Sequence, residues 1–159
     1  MNGYDVAQIC INGHEISSMA GSSPEFRKPF CNKCGAATIM KCLKCGKPIK
    51  GYYHVEGIFG FSSAYKAPKF CDNCGESFPW TETKLNTTKG LIDLIETLTP
   101  EEQNDFKITV EHLVRDTAEN ALSKIKFKKY IQKADSEITN GIKEILSELV
   151  SEETQKSIL

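Results

Sequence analysis

Three Cys-x-x-Cys-Gly turns, at residues 31–35, 42–46 and 71–75, constrain this chain more than any other feature it has. That spacing lets both sulfurs of one tight turn reach a common metal ion at about 2.3 Å. The glycine that closes each turn tolerates the positive φ such a turn needs. A fourth pair comes earlier, where Cys10 and His14 bracket a Gly-containing turn in ICINGHEI. The donors are therefore Cys10, His14, Cys31, Cys34, Cys42, Cys45, Cys71 and Cys74, enough for two tetrahedral sites.

The chain has seven cysteines, all before residue 75. An odd number fits a fully paired disulfide framework poorly. Clustered cysteines in a reducing compartment are more often metal ligands than disulfides. Soft thiolates plus one imidazole suit zinc, expected at two per chain, better than magnesium or calcium. Iron in a rubredoxin-like site competes for the all-cysteine set, whereas the spacings match neither ferredoxin pattern.

The pairs can share metal ions sequentially, interleaved as in a RING finger, or nested. Sequential pairing is favoured because the segment repeats. In CINGHEI…KPFCNKCG and CLKCGKPIKGYYH…KFCDNCGESF a first turn, a loop and a Phe-introduced second turn follow one another. Each copy is expected to form its own site around a β-hairpin or three short strands. The β-prone Tyr52, Tyr53, Val55, Ile58 and Phe59 fill the longer loop.

On ICINGHEI, FCNKCGAATIMKCLKCGKPIKGYY and FCDNCGESFPWTE the chain resembles double zinc ribbons. The whole layout is similar to a bacterial family of zinc-ribbon proteins with a helical tail, domain of unknown function 2321. The resemblance rests on motifs in the first half and on helical character alone in the second. It implies metal binding at the eight donors and lends no activity.

Residues 81–159 switch to helical spacing. Leu91, Leu94, Ile95 and Leu98 predict a short helix after a turn at residues 87–90. Thr99, Pro100 and Glu102 form a capping box for a new start. From Phe106 through Val110, Leu113, Val114, Thr117, Ala118, Ala121 and Leu122 to Ile125 one stripe predicts a single helix of more than five turns. Asp135 and Ser136 can cap a last helix carrying Ile138, Ile142, Ile145, Leu146 and Leu149, within which Gly141 costs roughly 1 kcal/mol against Ala. The closing SEETQKSIL is expected to fray. The expected architecture is a small zinc-stabilised β region of tandem ribbons over residues 1–84, then about three helices over residues 85–159, α+β overall.

No apolar run is long enough to span a membrane. The first residues lack a signal peptide's basic flank and apolar core, so a cytoplasmic location is expected. Residues 1–80 carry nine Lys/Arg against six Asp/Glu. Seven thiolates set against two divalent zinc ions bring that surplus to about zero, unlike the basic face of a nucleic-acid binder.

Both sites fill with four protein donors, whereas catalytic zinc keeps an open position. The sequence contains no His-Glu-x-x-His motif and no deaminase signature. A structural zinc protein presenting a surface to a protein partner is the leading reading, with self-association or docking through the helices. The alternative is nucleic-acid binding through Lys41, Lys44, Lys47 and Lys50, with Tyr52, Tyr53 and Trp80 as stacking faces. Trp80 is also read as packing at the joint between the halves. A zinc-dependent or redox enzyme comes third, because the βαβ setting of a thioredoxin-type site is absent. The basic, aromatic-bearing stretch at residues 123–133 is read as a solvated helix end before any binding role.

Overall fold

The computed structural model describes residues 2–58 and 64–159, so Phe59 lies outside the described residues. The chain divides into two compact units, Met1–Glu82 and Thr83–Leu159. A small strand region bearing the cysteine clusters is followed by helices, α+β overall.

In the first unit the strands are short because turns interrupt them. Strands β1 (Gly3–Val6), β2 (Gln8–Cys10), β3 (Glu15–Ser17), β4 (Thr38–Ile39) and β5 (Lys50–His54) make two antiparallel sheets. One has the order β3-β2-β4 and the other pairs β1 with β5. The partner of β5 is thus the N-terminal strand, with Tyr4 opposite Tyr53, and not a strand of its own repeat. Val55 and Ile58 follow that strand and are exposed.

The crossing that allows this pairing needs Gly51. A Cβ there would lie 2.1 Å from the Ser18 carbonyl oxygen and 3.0 Å from the Ala7 nitrogen, so no side chain fits. Asp5 clamps the same corner. Its Oδ1 accepts from the backbone N–H groups of Val6, Gly21 and Ser22 at 2.6, 2.9 and 3.2 Å. Its Oδ2 accepts from the Ser22 hydroxyl and meets His54 Nε2 at 3.2 Å. Burial would raise the Asp5 carboxyl, but these donors outweigh it and hold it at about 2.

One apolar cluster holds this unit: Ala7, Ile9, Cys42, Ile49, Cys71, Phe78 and Trp80. Phe78 and Trp80 stack at 4.8 Å, and the indole N–H of Trp80 donates to the Pro68 carbonyl at 2.9 Å.

The helices are α1 (Pro79–Asp93), α2 (Pro100–Arg115), α3 (Asn120–Ile131), α4 (Ser136–Leu149) and α5 (Glu152–Ile158). Three expectations need correction. The turn expected at residues 87–90 is helix. There the Thr87 and Thr88 hydroxyls donate to the Thr83 and Lys84 carbonyls, satisfying residues that otherwise favour turns. The single long helix is two, broken where Asp116 takes φ 52 and caps α2 from the left-handed region. Leu122 and Ile125, read as part of its apolar stripe, are exposed, whereas Phe127, Tyr130 and Ile131 are buried. The closing residues also form a helix. Ser151 caps α5 through the Thr154 N–H, and Thr154 and Ile158 are buried.

The capping box at Thr99 is present in both directions, and Asp135 caps α4 through the Ile138 N–H at 2.8 Å. Within residues 123–133, Lys126 pairs with Asp105 at 2.9 Å and Lys133 with Glu102 at 2.8 Å. The Tyr130 hydroxyl donates to Asp105 at 2.6 Å. Much of that stretch is thereby tied to α2. Replacing Thr99 by Ala should lower the stability of the helical unit by about 1 kcal/mol, read from urea unfolding followed by far-UV circular dichroism.

Candidate metal centres

Each Cys-x-x-Cys-Gly segment folds into the same knuckle. The first cysteine's N–H donates to the carbonyl five residues on, in the pairs Cys31–Ala36, Cys42–Lys47 and Cys71–Glu76, each at 2.8 Å. The glycine N–H returns to that cysteine's carbonyl at 2.7, 2.9 and 2.9 Å. The glycines take φ values of 72°, 77° and 76°, which an L side chain rarely adopts. Cys10 and His14 make a variant turn. The Cys10 N–H donates to the His14 carbonyl at 2.9 Å, and the His14 N–H points at the Cys10 sulfur at 3.3 Å.

Folding brings the eight donors together as two sets, Cys10 with His14, Cys31 and Cys34, and Cys42 with Cys45, Cys71 and Cys74. Within each set the donor atoms all lie within 4.8 Å of one another. The grouping follows the chain sequentially. Antiparallel pairing of β2 with β4, Cys10 opposite Thr38, carries the first turn to the knuckle of Cys31 and Cys34.

The separations decide what such a set can hold. A tetrahedral ion with sulfurs at about 2.3 Å and a nitrogen at about 2.0 Å places sulfur pairs about 3.8 Å apart and sulfur–nitrogen pairs about 3.5 Å apart. The sulfurs of Cys10 and Cys34 are 3.8 Å apart, those of Cys42 and Cys74 3.7 Å, and those of Cys45 and Cys71 3.6 Å. His14 Nδ1 lies 3.5 Å from the Cys10 sulfur and 3.6 Å from that of Cys31. A disulfide would require about 2.05 Å. Each set can hold a metal ion, and the donors are compatible with zinc.

The electrostatics call for a cation. The backbone N–H of Ala36, then the Asn12 amide, draw the Cys34 thiol down to about 6. The N–H of Lys47, then Asn73, do the same for Cys45, also to about 6. At Cys74 the Glu76 N–H pulls down, but local desolvation and the crowding sulfurs of Cys45, Cys42 and Cys71 outweigh it, and the thiol rises to about 12. Burial likewise pushes Cys10 up. Clustered thiolates repel, so full ionisation of each set needs a positive charge at its centre.

The first cysteine of every pair is buried, while Cys34, Cys45 and Cys74 are exposed. Cys42 and Cys71 belong to the apolar cluster itself. The turn of Cys10 and His14 leans on that cluster, since a Cβ on Gly13 would come within 3.0 Å of the Trp80 Cβ.

The candidate binding surface fares differently. Lys41 and Lys44 are exposed. Lys47 and Lys50 both pair with Asp72, at 3.3 and 2.7 Å. Tyr52 is half-buried and Tyr53 exposed. Trp80 is only 5% exposed, so as a stacking face it is corrected to a core residue of the first unit. Sequence reading missed Tyr4, exposed against Tyr53 with the Lys50 ammonium 4.6 Å from its ring centre, because its place depends on the β1–β5 pairing. It also missed the Asn12 amide, which donates to the Cys34 sulfur at 3.4 Å from inside the opposite turn.

Sequential grouping makes a stoichiometric prediction. Combining His14→Ala with Cys34→Ser should cost one metal ion per chain, whereas His14→Ala with Cys45→Ser should cost two, counted by native mass spectrometry.

No curated protein and no solved structure matches the chain. The model of a bacterial family, described as an uncharacterized protein conserved in bacteria (DUF2321), matches residues 3–158. With that span and the two four-donor sets in place, the chain belongs to this family.

Proposed function

We propose that the first unit is a pair of closed structural zinc ribbons that serves as a protein-interaction module. The observation that carries this reading is the set of 3.5–3.8 Å separations among four donors in each cluster. Four protein donors complete a tetrahedron and leave no position for substrate or water, which favours a structural ion over a catalytic one. Zinc suits the donors best, and in a unit with so small a core it contributes on the order of 10 kcal/mol to folding.

Exposed apolar side chains support a protein partner. Phe26, Phe30 and Leu43 are 59, 63 and 62% exposed, Leu43 at the tip of a knuckle. Such residues reward burial by another protein. For nucleic acid the supply is thinner. Lys47 and Lys50 share the single carboxylate of Asp72, which offsets one of their two charges, and Trp80 is buried. In the helical unit the exposed Leu122 and Ile125 of α3 support self-association or docking through that unit.

Purified protein should carry two zinc ions per chain by elemental analysis. Removing them with a strong chelator should shift the emission of Trp80, the single tryptophan, to longer wavelength as its core opens. Most helical ellipticity should persist, because no donor of either set lies in the second unit. A salt-dependent affinity for oligonucleotides would instead favour nucleic-acid binding.

A further inference from the structure

We propose that Asn12 and Asn73 guard the metal centres, each donating its side-chain amide to the exposed sulfur of the facing turn, Cys34 and Cys45, and so slowing metal loss at that ligand. The inference rests on the reading of both sets as zinc sites. Asn12 lies between Cys10 and His14, yet its Nδ2 reaches across to the Cys34 sulfur at 3.4 Å. Asn73 lies between Cys71 and Cys74, and its side chain bonds the sulfur of Cys45 in the opposite knuckle. The two sites thus share one device, an asparagine inside one turn bonded to the outward sulfur of the other.

The device addresses a specific weakness. Cys34, Cys45 and Cys74 are the solvent-facing ligands, whereas their partners are buried. A ligand leaves when water or an electrophile reaches its lone pairs. An amide N–H directed at the sulfur occupies one of them and stabilises the bound thiolate, as outer-shell donors do at metal sites generally. All three exposed sulfurs also receive a backbone N–H, from Ala36, Lys47 and Glu76. Asn12 and Asn73 are positioning residues for two of these ligands, Cys34 and Cys45.

The test uses the full-length, zinc-loaded protein. Limiting N-ethylmaleimide labels its cysteines while a colorimetric indicator follows zinc, and the labelled positions are mapped by mass spectrometry. Asn73→Ala should speed labelling of Cys45, and Asn12→Ala that of Cys34, each about tenfold, the lower end of what one hydrogen bond to a charged group contributes. Asn12→Asp, which sets a carboxylate against the thiolate, should exceed Asn12→Ala, and Asn12→Ser, which keeps a donor, should fall between Ala and parent. Lys33→Ala is the control, since its backbone N–H and not its side chain faces a ligand, Cys31. Two bound zinc ions with unchanged rates in the asparagine variants overturn the inference alone. Protein that binds no zinc overturns the zinc reading and this inference together.

Discussion

Repulsion among clustered sulfurs is the constraint that the first unit has to meet, and a cation at the centre of each set would relieve it. Cys42, Cys45, Cys71 and Cys74 are held within 4.8 Å of one another by backbone bonds that repeat from knuckle to knuckle. The chain gains nothing from that convergence by itself, because burial and like charge both oppose it. A divalent ion held there would reverse the sign, and metal binding and folding would then be one event, as expected of a unit too small to be held by apolar burial alone.

The apolar core and the metal sites are correspondingly inseparable. Cys42 and Cys71 are at once core residues and donors, and Ile9 is buried in the same cluster one residue before Cys10. Trp80 closes the cluster, stacked on Phe78 and braced by the Pro68 carbonyl. The knuckles that begin at Cys42 and Cys71 therefore have an inner face built into the core and an outer sulfur, Cys45 or Cys74, left to solvent. Leu43, between the two cysteines of one knuckle, is exposed as well.

Local chemistry was legible in the sequence and long-range pairing was not. The knuckles could be read because a Cys-x-x-Cys-Gly turn is fixed by five consecutive residues. The capping box of Thr99 and Glu102 was legible for the same reason. The repeat made sequential sharing of donors the simpler expectation, and the donors cluster that way. By contrast, β1 finds β5 across more than forty intervening positions, and no periodicity announces it. The break at Asp116 was hidden because apolar spacing continues through residues 113–125 while the backbone turns left-handed at one residue. The start of α1 was obscured by the turn formers Thr87, Thr88 and Gly90, of which the two threonines here bond back onto their own helix. Trp80 illustrates a different limit. An aromatic beside a ribbon reads equally well as a stacking face or as core, and only its burial decides.

The pairing of β1 with β5 has a topological consequence. The N-terminal strand leaves its own repeat and lies along the chain that follows the first knuckle of the second repeat, while Gly51 lets that chain pass against the backbone of Ala7 and Ser18. The two ribbons are interlaced and are not beads on a string. A cut between the repeats would strip β5 of its partner and leave Ala7 and Ile9 without Ile49, so neither half is a transplantable module. The contact order of the unit is set by this clasp, and the entropy of closing so long a loop delays it until other contacts compensate. The repeated knuckle pair supplies two donor sets, and the clasp ties them into one compact unit.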